Sequence, residues 1–222
     1  MNNRGIFISV EGPIGVGKTT LANILNQHFG YTLLREIVEE NPFLSKFYTD
    51  IKEYALQTEA FFLFNRFKQL EDIEKNILSK SKGVVSDYHI IKNLIFAGIT
   101  LDKMQFHRYK QVYNIFVNDL PQPDIIIYLN SNTDVLMKRI AMRDRSFERQ
   151  MDRNYIDGLS TEYKYYFNPL SIKHNFMGKE PIIIEIDNSN LDFLNNEDDK
   201  KFIINKVEEA ISTLGGNTTC SN

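Results

Sequence analysis

The sequence predicts an α/β fold in which a parallel sheet of five strands is flanked by helices on both faces. Five short apolar runs rich in β-branched residues are spread along the 222 residues, and segments with helical periodicity separate them. A glycine-rich loop directly follows the first run. Strands that are apolar throughout are buried on both sides, and their alternation with helices indicates a covered parallel sheet.

Each predicted strand is a short apolar run that is bounded by turn residues or a polar segment. In chain order the predicted strands are residues 6–10, 31–38 with its end at Glu36, 83–87, 125–129 and 181–187. Glycines follow the first of these runs, and Pro123-Asp124 opens the fourth. The third and fourth runs are apolar enough to be buried on both faces.

The predicted helices lie between these strands, where apolar residues recur at helical spacing. They are residues 19–29, 43–79 with a break at Tyr48 to Asp50, 88–119 with interruptions at Gly98 and Leu101-Asp102, 132–142, 154–175 and 198–213. We expect one domain over residues 1–214, with a short arginine-rich lid at about 142–153. Residues 215–222 are polar and are expected to form a flexible tail.

Composition excludes several classes of function. The net charge of −3 argues against a nucleic-acid backbone or an anionic membrane as the main partner. A single cysteine, Cys220, excludes a disulfide framework within one chain, and the four histidines follow no metal-ligand spacing. Apolar runs such as 125–127 and 182–184 are too short to cross a bilayer, and no signal-peptide core is present. We therefore expect a cytoplasmic protein.

A phosphate-binding loop is the most specific motif of the chain. Its residues, which match G-x-x-x-x-G-K-[ST] and continue into Thr20, are Gly12, Pro13, Ile14, Gly15, Val16, Gly17, Lys18 and Thr19. The glycines allow backbone N–H groups to approach phosphate oxygens, and the helix that follows adds a partial positive charge. Lys18 would bridge the β- and γ-phosphates, and the Thr19 hydroxyl would hold Mg²⁺.

Two carboxylates and a group of arginines indicate phosphoryl transfer. Glu36 and Asp87 stand at the carboxyl ends of predicted strands, where ligands bind in open α/β sheets. Glu36 could accept a proton from a hydroxyl and Asp87 could hold Mg²⁺, although either could instead cap a helix or pair with a lysine. The arginines are Arg139, Arg143, Arg145, Arg149 and Arg153, and they form either a lid over the phosphates or a solvated helix face.

The chain resembles the deoxynucleoside kinase family, which includes deoxycytidine, deoxyadenosine and deoxyguanosine kinases, and it is most similar to the bacterial deoxyguanosine kinases. The likeness extends over about residues 5–213. It rests on four segments: EGPIGVGKTT at 11–20, EIVEENPF at 36–43, SDYHIIKN at 86–93 and RDRSFE at 143–148. Together, at these spacings, the segments are highly specific.

The resemblance implies roles for individual residues. Glu36 is similar to the family's catalytic base, and Asp87 to the acidic residue of its Asp/Glu-Arg-Ser motif. The remaining assignments are Arg139, Arg143 and Arg145 as lid arginines, Tyr48 and Glu148 as the pair that holds the sugar 3′-hydroxyl, and Arg66 as a base-side arginine. One departure is Tyr88, which stands where the family usually has an arginine that orients the base and contacts phosphate. We expect Lys18 and the lid arginines to take over its work.

The pattern on the long predicted helix favours guanine as the base. Glu59 and Arg66 are seven residues apart and share a face, and Tyr48 joins that face if the helix is continuous. A carboxylate at Glu59 can accept from guanine N1–H and N2–H₂, and Arg66 and the Asn93 amide can donate to O6 and N7. Gln57 is the alternative base reader to Glu59. Phe96 is a candidate to stack on the base, or else a plain core residue.

The leading interpretation is an ATP- and Mg²⁺-dependent deoxyguanosine kinase, with deoxyadenosine or deoxycytidine as alternative substrates. A nucleoside-monophosphate kinase such as a thymidylate kinase and a weakly catalytic regulatory subunit are competing hypotheses, and a GTPase switch is disfavoured by the lack of an Asn-Lys-x-Asp run. The resemblance further implies inhibition by dGTP. It also implies a dimer, most simply a homodimer, through helices with apolar outer faces such as 54–70 and 105–120.

Overall fold

A parallel sheet of five strands forms the centre of the computed structural model, which describes residues 4–149, 151–175 and 180–216. The strands are β1 Phe7–Glu11, β2 Thr32–Leu34, β3 Val84–Ser86, β4 Ile125–Asn130 and β5 Ile182–Asp187. Their order across the sheet is β2-β3-β1-β4-β5, and every neighbouring pair is parallel. The predicted sheet is therefore confirmed.

Helices connect and cover these strands. In chain order they are α1 Lys18–Phe29, α2 Leu44–Phe47, α3 Ile51–Asn76, α4 Lys92–Thr100, α5 Lys103–Val117, α6 Thr133–Arg143, α7 Arg153–Tyr166, α8 Pro169–Asn175 and α9 Glu197–Gly216. Short 3₁₀ turns lie at Leu78–Lys80 and Ser146–Glu148. Side-chain caps set several starts, since Asp50, Asp102 and Asn132 accept from backbone N–H groups of α3, α5 and α6.

Four predicted features differ from the structure. β2 ends at Leu34 instead of Glu36, because the Glu36 N–H bonds the Asp87 carboxylate and leaves the sheet ladder. Gly98 lies within α4 without interrupting it, since burial of neighbouring α4 side chains outweighs a glycine cost of about 1 kcal/mol. The helical stretch 154–175 is divided between α7 and α8. α9 continues through Gly216 and so includes the first two residues of the predicted tail, whose remaining residues 217–222 lie outside the described chain.

Alternation along β4 shows that both faces of the sheet are covered. Ile125, Ile127 and Leu129 pack in an apolar cluster with residues of α1, α6 and α9. Ile126 and Tyr128 point to the other face, where they pack with residues of α4 and α7. A strand that is buried on both sides reads as a continuous apolar run, which is the pattern of the sequence here.

The sheet has its switch point at β1. β3 lies on one side of β1 and β4 on the other, so the chain leaves the carboxyl end of β1 into a crevice between two neighbours. The loop between β1 and α1 and the residues after β2 and β3 all reach this crevice. Within the part of the chain that the structure describes, no helix combines the length and apolarity needed to span a membrane.

Replacing Leu129 with alanine should strongly destabilise the protein. The side chain is fully buried in the central strand β4, and a Leu→Ala cavity in a core costs about 2–5 kcal/mol. Leu170→Ala is the matched control, because this leucine on α8 is 81% exposed and its loss should change stability by less than about 0.5 kcal/mol. Urea unfolding at one fixed protein concentration measures both, and equal losses would contradict the assigned core.

Candidate active site

The loop between β1 and α1 is shaped to hold phosphate. Gly12, Gly15 and Gly17 have φ angles of 145°, 82° and 100°, which side chains rarely adopt. A Cβ atom at Gly12 would lie 2.2 Å from the Leu129 carbonyl oxygen, so the loop could not form as it does with any other residue there. No side chain caps the first turn of α1, and its N–H groups are left to bind an anion.

Lys18 folds back over this loop. Its Nζ donates to the carbonyl oxygens of Gly12 and Pro13 at 2.8 and 2.9 Å. Burial lowers the pKa of Lys18, as does the positive charge of Lys92, and the result is about 7. A bound triphosphate would replace the carbonyl contacts and restore the charge of this ammonium group.

Asp87 joins the phosphate loop to the segment after β2. Its Oδ2 accepts from the Thr19 hydroxyl at 2.6 Å, and its Oδ1 accepts from the Glu36 backbone N–H at 2.8 Å. The predicted metal-binding pair therefore lies together at the first turn of α1. Among the described residues no group of three or more His, Cys, Asp or Glu side chains is arranged to hold a metal, so a cation here needs further ligands from phosphate or water.

Glu36 lies between two cations. Arg66 donates to Oε1 through both Nε, at 3.0 Å, and Nη2, and Lys92 Nζ lies 2.6 Å from Oε2. Burial alone would raise the pKa of Glu36, but the charges of Lys92 and Arg66 and their hydrogen bonds lower it to about 2. The carboxylate is thus ionised and fully occupied when no ligand is bound.

One continuous cavity of about 860 Å³ extends from the phosphate loop past Glu36 to α3 and α4. The predicted site residues that line it are Ile14, Gly15, Gly17, Lys18, Thr19, Thr20, Glu36, Tyr48, Glu59, Arg66, Asp87, Phe96, Arg139, Arg143, Arg145 and Glu148. Gly12, Pro13, Val16 and Asn93 are not among the lining residues. The volume suits a small organic ligand together with part of a second one.

Glu59 faces this cavity from α3 and is 2% exposed, whereas its alternative Gln57 is exposed on the opposite side. Its Oε1 accepts from the Thr100 hydroxyl at 3.5 Å, and its Oε2 has no hydrogen-bond partner among the described residues. Burial raises the pKa of Glu59 to about 8, although the charge of Arg66 opposes the rise. Of the two candidate base readers, Glu59 is the one that lines the cavity.

Two further buried polar atoms lie near Glu59. Thr58 Oγ1 and Arg66 Nη1 also lack hydrogen-bond partners within the described chain, and both residues line the cavity. Buried polar atoms in folded proteins are nearly always paired, and an unpaired one costs about 1–3 kcal/mol. A cluster of such atoms on one wall indicates where a polar ligand binds.

Asn93 is placed differently from our expectation. It is completely buried, and its Nδ2 donates to the Tyr109 hydroxyl at 2.8 Å, which in turn donates to the Glu59 carbonyl oxygen at 3.1 Å. Asn93 thus supports the backbone of α3 and does not face the cavity. Phe96 does line the cavity, and it is half-buried with one face toward Lys92.

Tyr48 lies at the end of α2, and the break before α3 means that it does not extend the face of Glu59 and Arg66 along one helix. The predicted break at Tyr48 to Asp50 is confirmed, so the condition of a continuous helix is not met. Tyr48 nevertheless lines the same cavity, where its ring stacks on Phe147 at 6.1 Å. Burial and the charge of Glu148 raise the pKa of Tyr48 above its usual range.

The arginine-rich segment divides into two groups. Arg143 donates to both oxygens of Glu148, and Arg145 lies 3.8 Å from the same carboxylate. Arg139 donates to backbone carbonyl oxygens at 3.2 Å. Two of the arginines, Arg149 and Arg153, instead form exposed ion pairs, as the solvated-face alternative predicts. Residue 150 of the predicted lid lies outside the described residues.

Lys92 is the cavity residue that sequence reasoning missed. It is 6% exposed and lies among Ile90, Ile91 and Leu94, which are buried apolar residues. A lysine inside an otherwise apolar segment shortly after the carboxyl end of a strand was an available signal, because lysine is rarely buried without a function or a partner.

Comparisons with known proteins agree with this geometry. The sequence profile described as deoxynucleoside kinase matches residues 8–212. The chain is 42% identical to the deoxyguanosine kinase of Bacillus subtilis (strain 168) over 94% of its length and 99% of that protein. It is 28% identical to the deoxyadenosine/deoxycytidine kinase of the same organism, over 92% and 93% of the two chains.

A solved structure gives the same result. The deoxyadenosine kinase from M. mycoides with bound dATP superimposes with a TM-score of 0.77 at 26% identity, covering 91% of this chain and 99% of that one. These matches confirm the resemblance and do not support the monophosphate-kinase and GTPase alternatives. The chain therefore belongs to the deoxynucleoside kinase family of ATP-dependent phosphotransferases.

Proposed function

We propose that this kinase transfers the γ-phosphoryl group of ATP to the 5′-hydroxyl of deoxyguanosine. The observation that carries the choice of base is the buried, unpartnered Oε2 of Glu59 on the cavity wall. The 42% identity to a deoxyguanosine kinase supports the same choice.

The polarity of the wall matches guanine. The Glu59 carboxylate offers acceptors for N1–H and N2–H₂, while Arg66 Nη1 is a free donor for O6 or N7. Phe96 would stack on the base from α4. With adenine, the unprotonated N1 would face the carboxylate with no proton between them, at a cost of about 1–3 kcal/mol or more.

A deoxyadenosine or deoxycytidine kinase is the second candidate, and one observation favours it. Burial raises the pKa of Glu59 to about 8, so in the empty site the side chain can carry a proton at neutral pH. A neutral carboxylic acid presents one donor and one acceptor, as glutamine does, and it could then pair with adenine or cytosine.

The residues of this chain divide the work of phosphoryl transfer. Glu36 would receive the hydrogen bond and then the proton of the 5′-hydroxyl, and Tyr48 and Glu148 would hold the 3′-hydroxyl. Arg139, Arg143 and Arg145 would close on the phosphates, neutralise their charge and exclude water. Because Arg143 now pairs with Glu148, closure of the lid on ATP and release of Glu148 for the sugar would be coupled.

Thr19 and Asp87 are the residues that would hold Mg²⁺, because their oxygens lie 2.6 Å apart at the phosphate loop. The ion, when bound, would neutralise charge on the phosphate oxygens. We also propose that dGTP inhibits the enzyme by occupying the continuous cavity, with its base at Glu59 and its phosphates at Lys18.

Glu59→Gln should change the preferred nucleoside. The amide removes one acceptor and adds a donor, so deoxyguanosine should lose about tenfold to a hundredfold or more in kcat/KM relative to deoxyadenosine and deoxycytidine. Phosphorylation of four deoxynucleosides by the purified chain measures this. Gln57→Ala is the control that should change nothing, since Gln57 is exposed. An unchanged ranking in Glu59→Gln would remove the base assignment, and no turnover by wild type would favour a regulatory subunit.

The preference for deoxyguanosine over deoxyadenosine should increase with pH. Guanine requires the ionised form of Glu59 and adenine the protonated form, and the pKa of this residue in the empty site is about 8. As pH rises the ionised fraction grows, so the ratio of the two kcat/KM values should rise by up to about tenfold per pH unit between about pH 6 and pH 8. Because the ratio of the two kcat/KM values is used, ionisable groups that affect both substrates equally do not contribute. In Glu59→Gln this ratio should not change with pH, and a ratio that is independent of pH in wild type would refute this pairing.

We further propose a homodimer through α3 and α5. Leu56, Phe64, Val112 and Ile115 are exposed apolar residues of these helices, and an apolar groove of about 340 Å³ lies between them. Apolar side chains that line a groove on a soluble enzyme commonly mark an interface between subunits.

Phe64→Asp should convert a dimer into a monomer, because it places a charge in the proposed interface. Phe202→Asp is the matched control, since Phe64 and Phe202 are 50% and 48% exposed but Phe202 lies on α9. Size-exclusion chromatography with light scattering gives the mass of each variant. A monomeric wild type, or a Phe64→Asp protein that stays dimeric, would contradict the proposed surface.

A further inference from the structure

Position 88 provides no charge to the cavity of this protein. Tyr88 is fully buried in the apolar cluster beneath α3, and its hydroxyl donates to Gln69 Oε1 at 2.8 Å. It is not among the residues that line the cavity.

Lys92, four residues after Tyr88 in the sequence, provides a cation to the cavity. It is the first residue of α4, it lines the cavity, and its Nζ lies 2.6 Å from Glu36 Oε2. Glu36 does not need this partner for charge balance, because Arg66 already neutralises it through Oε1. Lys92 is therefore a second cation beside one carboxylate, and its charge also acts on the buried carboxylate of Glu11.

Lys92 faces the phosphate loop, because Lys18 of that loop lines the same cavity. Two like charges that share one cavity repel each other. An anion between them, such as the terminal phosphate of ATP, would turn this repulsion into two attractions.

We propose that Lys92 is a catalytic residue, whose ammonium group leaves Glu36 for the transferring phosphoryl group when ATP binds and so frees Glu36 Oε2 for the 5′-hydroxyl proton. The inference rests on the proposed role of Glu36 as base. It does not depend on which deoxynucleoside is the substrate.

Lys92, and not Arg66, is the partner able to move. The Arg66 guanidinium is 3% exposed, donates two hydrogen bonds to one oxygen and lies 4.8 Å from the Phe62 ring. Lysine has a flexible stem and an ammonium group that accepts many geometries, whereas the planar guanidinium is held by its fixed donors. While Lys92 Nζ lies on Glu36 Oε2, that oxygen already accepts a hydrogen bond from a cation. Departure of Lys92 when the phosphoryl donor binds would free Oε2 for the proton of the 5′-hydroxyl.

In the transfer step, the 5′-oxygen of the nucleoside forms a bond to the γ-phosphorus as the bond from that phosphorus to the bridging β,γ-oxygen breaks. The hydroxyl proton passes to Glu36 Oε2, and ADP leaves with the bonding electron pair. Lys92 stays on the equatorial oxygens of the transferred group and neutralises their charge. No further reactant is required.

Lys92→Met tests the contact with the terminal phosphate by comparing two nucleotides. Isothermal titration should show about tenfold or greater loss of affinity for β,γ-imido-ATP, with binding of ADP changed less than about twofold. A residue that only holds Glu36 in place would not distinguish these two ligands. Lys68→Met, at an exposed lysine of α3, is the matched control and should leave both affinities unchanged. Equal effects of Lys92→Met on both nucleotides would overturn the proposal.

Steady-state kinetics provides an independent readout. Lys92→Met should lower kcat by about a hundredfold to a thousandfold, and Lys92→Arg should recover part of the loss. In a Glu36→Gln background Lys92→Met should still lower kcat, because the phosphate contact does not pass through Glu36. No added loss in that background would show that Lys92 acts only through Glu36.

If circular dichroism shows that Lys92→Met does not fold, Lys92→Arg and Lys92→Gln take its place in the titrations. If wild type phosphorylates no deoxynucleoside, the proposed function fails, whereas the nucleotide comparison still decides the contact.

Discussion

The carboxylate of Glu36 and its backbone N–H connect the elements on which the site depends. The N–H bonds Asp87, which follows β3 and holds Thr19 of the phosphate loop. The carboxylate bonds Arg66 of α3 and Lys92 of α4. One hydrogen-bonded network thereby holds together the phosphate loop, the cavity wall at α3 and α4, and the Glu36 carboxylate. Removal of this single side chain would leave two buried cations without a partner, and such a change costs several kcal/mol.

The network is arranged for ligands that bring negative charge and hydrogen-bond donors. Lys18 donates a hydrogen bond to a carbonyl oxygen of its own loop. Glu59, Thr58 and Arg66 each have a buried polar atom without a hydrogen-bond partner in the described chain. Buried polar atoms without partners cost free energy. Under the proposed function, a substrate of matching polarity would pair with these atoms and recover that free energy, whereas a ligand of the wrong polarity would not.

Charge pairs connect the residues that have proposed roles in the site. Arg143 holds Glu148, and Lys92 holds Glu36, so both carboxylates proposed to contact the nucleoside are paired with cations proposed to contact ATP. Under these proposals, binding of ATP would draw the cations away and leave the carboxylates for the sugar.

Local sequence was sufficient where a pattern is repeated within one segment. The strands β1, β3 and β4 could be predicted because strands buried on both faces are continuous apolar runs. The phosphate loop could be predicted because its glycine spacing has few other uses. The end of β2 could not be predicted, because it depends on a hydrogen bond from the Glu36 N–H to Asp87, a residue distant in the sequence. This bond takes the Glu36 N–H away from the β-sheet hydrogen-bond ladder. Asn93 was assigned to the base from its place in a motif, yet its side chain turns toward Tyr109.

By itself, then, the sequence determined the fold class, the family and the phosphate-binding loop, because these depend on residue order and periodicity over short distances. Tertiary structure decided which of Glu59 and Gln57 faces the cavity, that Tyr88 lies in the core, and that Lys92 reaches Glu36. These outcomes depend on the rotation of α3 and α4 against the sheet. That rotation is set by the packing of many distant apolar side chains, and no short motif records it.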